Sequence, residues 1–251
     1  GSSAGRGVES RRSYRLGVQF LVSGIPVRVR WSFWLVALLV VPLPYRLIMR
    51  PRAWPFLAAW LVVVFVTVLV HEYAHARAAR RRGADVSITL YFLGGFTAWT
   101  THGVRPNGRF WIAAAGSMAG FVLGGAVWLA FQLGLVPPEP PVMVFALENL
   151  WYVNLVWGAL NWIPVRPLDG GQMLSSALEA WLGRTGTTIA NVILPSVTLV
   201  GGVLAFTAGL YAVAVFAGLV LIAEVARALG AAGALESEVS RGSAAGESPV
   251  G

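Results

Sequence analysis

The chain contains no cysteine and no lysine. Without cysteine there is no disulfide framework, no thiolate metal site, no thioredoxin-like redox chemistry and no cysteine nucleophile. Without lysine, the net charge of +8 comes entirely from arginine. Charge is scarce as a whole: 12% of residues are charged, about half the roughly 25% of a soluble domain, while 57% are hydrophobic. A compact soluble fold of this size has nowhere to hide so much apolar surface, so the composition specifies an integral membrane protein in contact with the lipid bilayer. On such a chain an arginine excess sets topology, and no nucleic-acid partner is expected. No cleavable signal pattern precedes the first apolar run.

What is present is a series of apolar runs. Residues 1–30 read as a basic cytoplasmic amino-terminal segment carrying Arg6, Arg11, Arg12, Arg15, Arg28 and Arg30. Trp31–Tyr45 is a marginal first span interrupted by Pro42 and Pro44, and the loop Arg46–Arg52 leads to the strongest span, Trp54 to Ala79. After the positive stop Arg80-Arg81-Arg82-Gly83, the apolar residues Val86, Ile88, Leu90 and Phe92 alternate with Ser87, Thr89 and Tyr91. That is the period of a strand, and it ends at Gly94-Gly95. Further spans are expected at Phe110–Leu135, Val142–Ile163, Thr187–Gly209 and Leu210–Leu229, with a short interfacial helix at Gln172–Leu182. The predicted fold is an all-α polytopic membrane protein. Its core, residues 31–230, has six transmembrane helices and a small membrane-associated β strand or hairpin between the second and third. A disordered tail, 231–251, follows.

Six spans put both termini on one side. With them inside, 16 arginines face the cytoplasm and three (Arg46, Arg50, Arg52) face out, so positive-inside counting predicts cytoplasmic termini. Arginine without lysine, with abundant alanine and glycine, points to a GC-rich prokaryotic genome and hence a prokaryotic cytoplasmic membrane.

At the inner end of the strongest span stands His71-Glu72-Tyr73-Ala74-His75. Residues four apart lie about 40° apart around a helix, so both imidazoles project from one face and can share an ion. Neutral imidazole suits zinc, and the intervening glutamate can reach a metal-bound water as general base. Ionisable residues inside a membrane are costly and mark function. A catalytic zinc site needs a third protein ligand and an open position. Asp169 is a candidate. It lies in Asn161-Trp162-Ile163-Pro164-Val165-Arg166-Pro167-Leu168-Asp169-Gly170-Gly171, where the fourth span breaks on the same membrane side. Proline ends the helix there and paired glycines permit a sharp turn.

His71-Glu72-x-x-His75 at the end of a span, followed about 90 residues later by Asn161-x-x-Pro164-x-x-Pro167-Leu168-Asp169-Gly170-Gly171, resembles the site-2 protease family of intramembrane zinc metalloproteases. The resemblance implies that His71, His75 and Asp169 hold Zn2+ and that Glu72 is catalytic. It also implies that Asn154 and Asn161 lie near the substrate, and that the strand region at Leu90, Phe92, Gly94 and Gly95 receives substrate in extended form. The implied activity is endoproteolysis within a transmembrane segment of a signalling protein, such as an anti-sigma factor or a membrane-tethered regulator. One departure stands out. Where the family commonly has Gly-Pro-x-x-Asn, this chain has Gly116-Ser117-Met118-Ala119-Gly120, and Gly116, Gly120 and Gly124 form a small-residue ridge instead. Neither a PDZ insertion nor a nucleotide-sensing domain fits in 251 residues.

Other polar residues read as structural. His102 is a solvated loop histidine, Arg166 contributes to the positive-inside balance, and Glu224 pairs with Arg227 at i+3. Two alternatives remain at this stage. A metal-ion transporter would use intramembrane histidines, but with relay positions across the bilayer. An inactive membrane-helix-binding scaffold would tolerate a damaged motif, whereas His71, Glu72, His75 and Asp169 are all present.

Overall fold

The computed structural model describes residues 17–41, 53–92, 94–100 and 103–226. Several sequence expectations lie outside them: the first sixteen residues of the basic segment, the loop Arg46–Arg52, His102, Arg227 and the tail 231–251.

The basic segment ends in a β-hairpin that its arginines conceal. Strand β1 (Gly17–Val22) pairs antiparallel with β2 (Ile25–Arg30), Val22 opposite Ile25 and Phe20 opposite Val27. The two-residue turn Ser23-Gly24 has positive φ at both positions (50° and 75°), the backbone twist that matches a hairpin. Ile25, Val27 and Val29 alternate inward while Pro26 and Arg30 stay exposed. Helix α1 (Trp31–Leu39) follows directly, and α2 (Trp54–Arg80) carries the histidine motif. Next come β3 (Val86–Tyr91) and β4 (Gly94–Trp99).

These strands form one sheet in the order β1-β2-β3-β4. β2 and β3 are parallel, with Val27 beside Ile88 and Val29 beside Leu90, and the connection between them runs through α1 and α2. The sheet's inward face, Ile25, Val27, Val29, Ile88 and Leu90, packs on Phe33, Val68 and Ala76, which fixes it against α2. β4 pairs antiparallel with β3, Ile88 opposite Thr97 and Leu90 opposite Gly95. Among the described residues no strand pairs with the other edge of β4.

The remainder is helical: α3 (Pro106–Gln132), α4 (Pro141–Asn161), α5 (Asp169–Leu182), α6 (Arg184–Thr207) and α7 (Tyr211–Ala226). Prolines open α3 and α4, where a missing N–H costs nothing. The glycine ridge packs α3 onto α4: a Cβ on Gly124 would stand 2.9 Å from the Trp151 carbonyl oxygen, and one on Gly120 3.3 Å from that of Asn154.

Four helices, α2, α3, α4 and α6, are long and apolar enough to cross a bilayer, and they carry exposed large side chains such as Val62, Val122, Leu160 and Val203 on their outer faces. Such outward apolar faces suit helices embedded in a bilayer. Six spans are not all seen among the described residues. The first expected span is helical over nine residues, and the described part of α7, Tyr211–Ala226, is shorter than a full crossing. The fold is therefore mostly helical with a four-stranded sheet, a larger β element than one strand or hairpin.

Candidate metal centre

Two helix faces and one helix start meet near the carboxy-terminal end of α2. His71 and His75 share a face of α2 and are 6% and 7% exposed. Their Nε2 atoms are 3.1 Å apart. Asp169 is the first residue of α5 and brings Oδ2 to 3.2 Å from His71 Nε2 and Oδ1 to 3.3 Å from His75 Nε2. The chain reverses between α4 and α5 because Gly170 and Gly171 are bare. A Cβ on Gly170 would overlap the carbonyl oxygens of Trp162 and Ile163, and one on Gly171 would stand 2.8 Å from that of Val165. Neither has a positive φ, so these glycines serve close approach rather than a left-handed turn.

The donor set fits a small tetrahedral cation. Bonds of about 2.0–2.1 Å from zinc give tetrahedral edges of about 3.3–3.4 Å, close to the separations found here. The ring of His75 is oriented by its Nδ1, 2.7 Å from the carbonyl oxygen of Ile112, an acceptor that fixes the proton on Nδ1 and turns the Nε2 lone pair inward. Two inward imidazole nitrogens facing a carboxylate need either an added proton or a cation between them. Burial works against charge on Asp169, but hydrogen bonding to His71 and His75 outweighs it and holds the carboxyl below the usual carboxylate range. Space is reserved as well: a Cβ on Gly116 of α3 would collide with Nε2 of both histidines.

Around this centre lie two hydroxyls, one noted in the sequence only as a departure from the family pattern and one not noted at all. Ser117, wholly buried, donates its Oγ–H to Asp169 Oδ2 at 3.2 Å. It stands where the family pattern has proline. Glu72, 7% exposed, accepts at Oε2 from Thr97 Oγ1 at 2.7 Å. β4 comes this close because Gly95 has no side chain, since a Cβ there would overlap the Glu72 carboxyl group. Gly95 and Thr97 are two apart on a strand and so face α2 together, a periodicity visible in the sequence.

The other expected residues are placed as follows. Asn154 donates through Nδ2 to Thr67 Oγ1 (2.9 Å) and to the Leu150 carbonyl (2.7 Å), tying α4 to α2 one turn before His71. Asn161 is buried at the end of α4 and donates to the Trp157 carbonyl at 3.0 Å. Leu90 is wholly buried in the sheet core, whereas Phe92 is 54% exposed. Phe92 and Gly94 border an apolar pocket of about 420 Å³ shared with Trp60, Thr67 and Trp157. Arg166 is more than a counter-charge: it donates to Ser175 Oγ (3.2 Å) and Asn191 Oδ1 (3.1 Å), linking the α4–α5 connection to α5 and α6. Glu224 is buried, 3.9 Å from Arg166; Arg227, its expected partner, lies outside the described residues.

A cleft of about 660 Å³ leads to the centre, lined by Glu72, His75, Thr97, Asp169, Arg109 and Glu179 among others. Arg109 and Glu179 bridge α3 and α5 across it at 2.6 Å. Two buried histidines and a half-buried aspartate able to hold a metal, an adjacent carboxylate and a polar route for water together suit hydrolysis.

The model of the Peptidase family M50 matches residues 59–151 and 141–208, more than half of the chain. Rip3 of Mycobacterium tuberculosis, which carries an assigned zinc-metalloprotease name, is 31% identical over 194 residues, covering 69% of this chain and 49% of that protein. The zinc metalloprotease MJ0392 of Methanocaldococcus jannaschii is 27% identical over 170 residues, 67% of this chain and 47% of the relative. The chain thus spans about half the length of these curated relatives. Among solved structures, the site-2 protease from Methanocaldococcus jannaschii shares the fold, with a TM-score of 0.58 at 24% identity over 83% of this chain and 93% of that one. From motif, fold and relatives alike, this chain belongs to peptidase family M50.

Proposed function

We propose that this protein is an intramembrane zinc endopeptidase that hydrolyses peptide bonds within transmembrane segments of membrane-bound signalling proteins. The observation that carries the reading is the convergence of His71, His75 and Asp169 within 4.8 Å of one another, with Glu72 beside them. His71, His75 and Asp169 hold zinc. Zinc, when bound, polarises the scissile carbonyl and makes water acidic near neutral pH, an effect of several kcal/mol on the barrier. Glu72 takes the proton from the attacking water and delivers it to the leaving amine. Burial of the centre excludes bulk water, and the polar cleft beside Arg109 and Glu179 admits what the reaction consumes.

The substrate reaches this centre unwound, as an extended segment added to the edge of β4, Gly94 to Trp99, that no described strand covers. Leu90 supports that edge from the core, and Phe92 and Gly94 offer it an apolar border beside Trp157. Asn154 and Asn161 lie on the same helix as Trp157, where they shape the end of that path. Six spans with both termini cytoplasmic complete the reading, supported by 16 arginines on the inner side against three outside. Cleavage near the inner face then releases a cytoplasmic fragment of an anti-sigma factor or a membrane-tethered regulator.

The test is cleavage in proteoliposomes of a panel of single-span substrates, with metal content measured on the same samples. The wild type holds about one zinc per chain and cuts within the span, while Glu72→Gln keeps the metal and does not cut. Zinc flux without cleavage would establish the transporter instead. Capture of spans by metal-free protein without cleavage would establish the scaffold.

A further inference from the structure

Glu72 is buried, and the hydroxyl that meets its carboxylate comes from another element. Thr97 Oγ1 lies 2.7 Å from Glu72 Oε2 and 3.0 Å from the Glu72 main-chain carbonyl oxygen. Thr97 itself is 8% exposed. It has one proton to give, and the charged oxygen, which is also the nearer, is the stronger acceptor. On the other side Glu72 Oε1 lies over Gly95, where a side chain would stand in any other residue. β4 therefore confines the carboxylate by one hydrogen bond and one bare backbone face. Its inward positions are occupied by Gly95 and Thr97, and its outer edge is unpaired among the described residues.

We propose that Thr97 is a positioning residue that holds the Glu72 carboxylate from the strand to which the substrate is added. The inference rests on the reading of Glu72 as general base. A peptide that pairs with the edge of β4 stiffens the strand bearing Thr97, and the hydrogen bond passes that order to Glu72. Docking and aim of the base are thereby one event. The hydroxyl does not touch substrate, so its loss is felt in turnover rather than in binding. A hydroxyl buried only to satisfy itself on a helix carbonyl would leave turnover alone.

The experiment compares Thr97→Val, which keeps the shape and removes the hydroxyl, with Thr97→Ser, which keeps the hydroxyl and removes a methyl. Thr97→Val is expected to retain zinc, because Thr97 reaches no ligand, to lose about ten- to a hundred-fold in kcat and to keep KM within about twofold. Thr97→Ser is expected to restore kcat. A second readout needs neither metal nor substrate: the Glu72 carboxylate infrared band, identified by its absence in Glu72→Gln, shifts in Thr97→Val and returns in Thr97→Ser. Wild-type kcat in Thr97→Val, equal damage in both variants, or an unmoved infrared band would each overturn the proposal. A wild type that cleaves nothing while the band still shifts would instead sink the protease reading and leave the hydrogen bond standing.

Discussion

The roles proposed for His71, His75, Asp169 and Glu72 differ in what each does for the metal, and substitution separates them. Asp169→Ala removes one of three ligands and is expected to abolish stoichiometric zinc, read by elemental analysis of detergent-purified protein. Glu72→Gln leaves the ligands intact, so zinc stays while cleavage is lost. Ser117→Ala tests the hydroxyl that orients Asp169: zinc affinity falls by about ten- to a hundred-fold, measured by competition with a chelator, with the fold intact. If Ser117→Ala held zinc as the wild type does, the Asp169 contact would be a bystander. The pairing of His71 and His75 was legible in the sequence because four residues on a helix bring two imidazoles together whatever surrounds them. The contacts of Ser117 with Asp169 and of Thr97 with Glu72 did not show there, because they are set by how α3 and β4 dock, which no local spacing records.

Elements owe their positions here to missing side chains as much as to apolar ones. α5 can present Asp169 to α2 only because Gly170 fits beneath the carbonyls that end α4. Gly170→Ala places a carbon against backbone that has little freedom to move. It is expected to cost about 1–3 kcal/mol in stability and to lower zinc content, read by thermal unfolding and metal analysis on the same preparation. Normal zinc and unchanged melting would mean that α5 docks by another contact. Long elements were readable from hydropathy: α2, α3 and α4 end within a few residues of the predicted bounds. The β1–β2 hairpin was not, because Arg28 and Arg30 occupy its outward positions and read as charge instead of as the polar half of an alternation. The hairpin arm β4 answers the expected strand or hairpin between the second and third spans, but its extent is not visible locally. Gly94-Gly95 signals a stop locally, yet Gly95 is kept in the strand by pairing with Leu90 and by the close approach of Glu72.

At the scale of the whole molecule, the direction of cleavage depends on which side of the membrane holds the centre. The ends of α2 differ sharply in charge: Trp54 and Pro55 begin it, while Arg77 and Arg80 close it a few residues past His71 and His75. Counting about 1.5 Å per residue, Arg77 lies about 9 Å and Arg80 about 13 Å beyond His71 along the axis, so in the proposed orientation the centre sits just within the inner boundary of the hydrocarbon. The connection between α3 and α4, at Pro138 and Glu139, then faces out. Gly183, between α5 and α6, faces in with the termini. A chain without cysteine allows this to be read with no background. Single variants Glu139→Cys, Gly183→Cys and Ser243→Cys are treated in intact cells, with the outer envelope opened, using a maleimide that cannot cross the membrane. Glu139→Cys is expected to label at once, and the other two only after the membrane is breached. Labelling of Ser243→Cys in intact cells with Gly183→Cys protected would mean an odd number of crossings after α5, so that α6 spans and α7 does not. Labelling of Gly183→Cys with Glu139→Cys protected would invert the molecule. The zinc centre would then open outward, and the released fragment could not be a cytoplasmic signal.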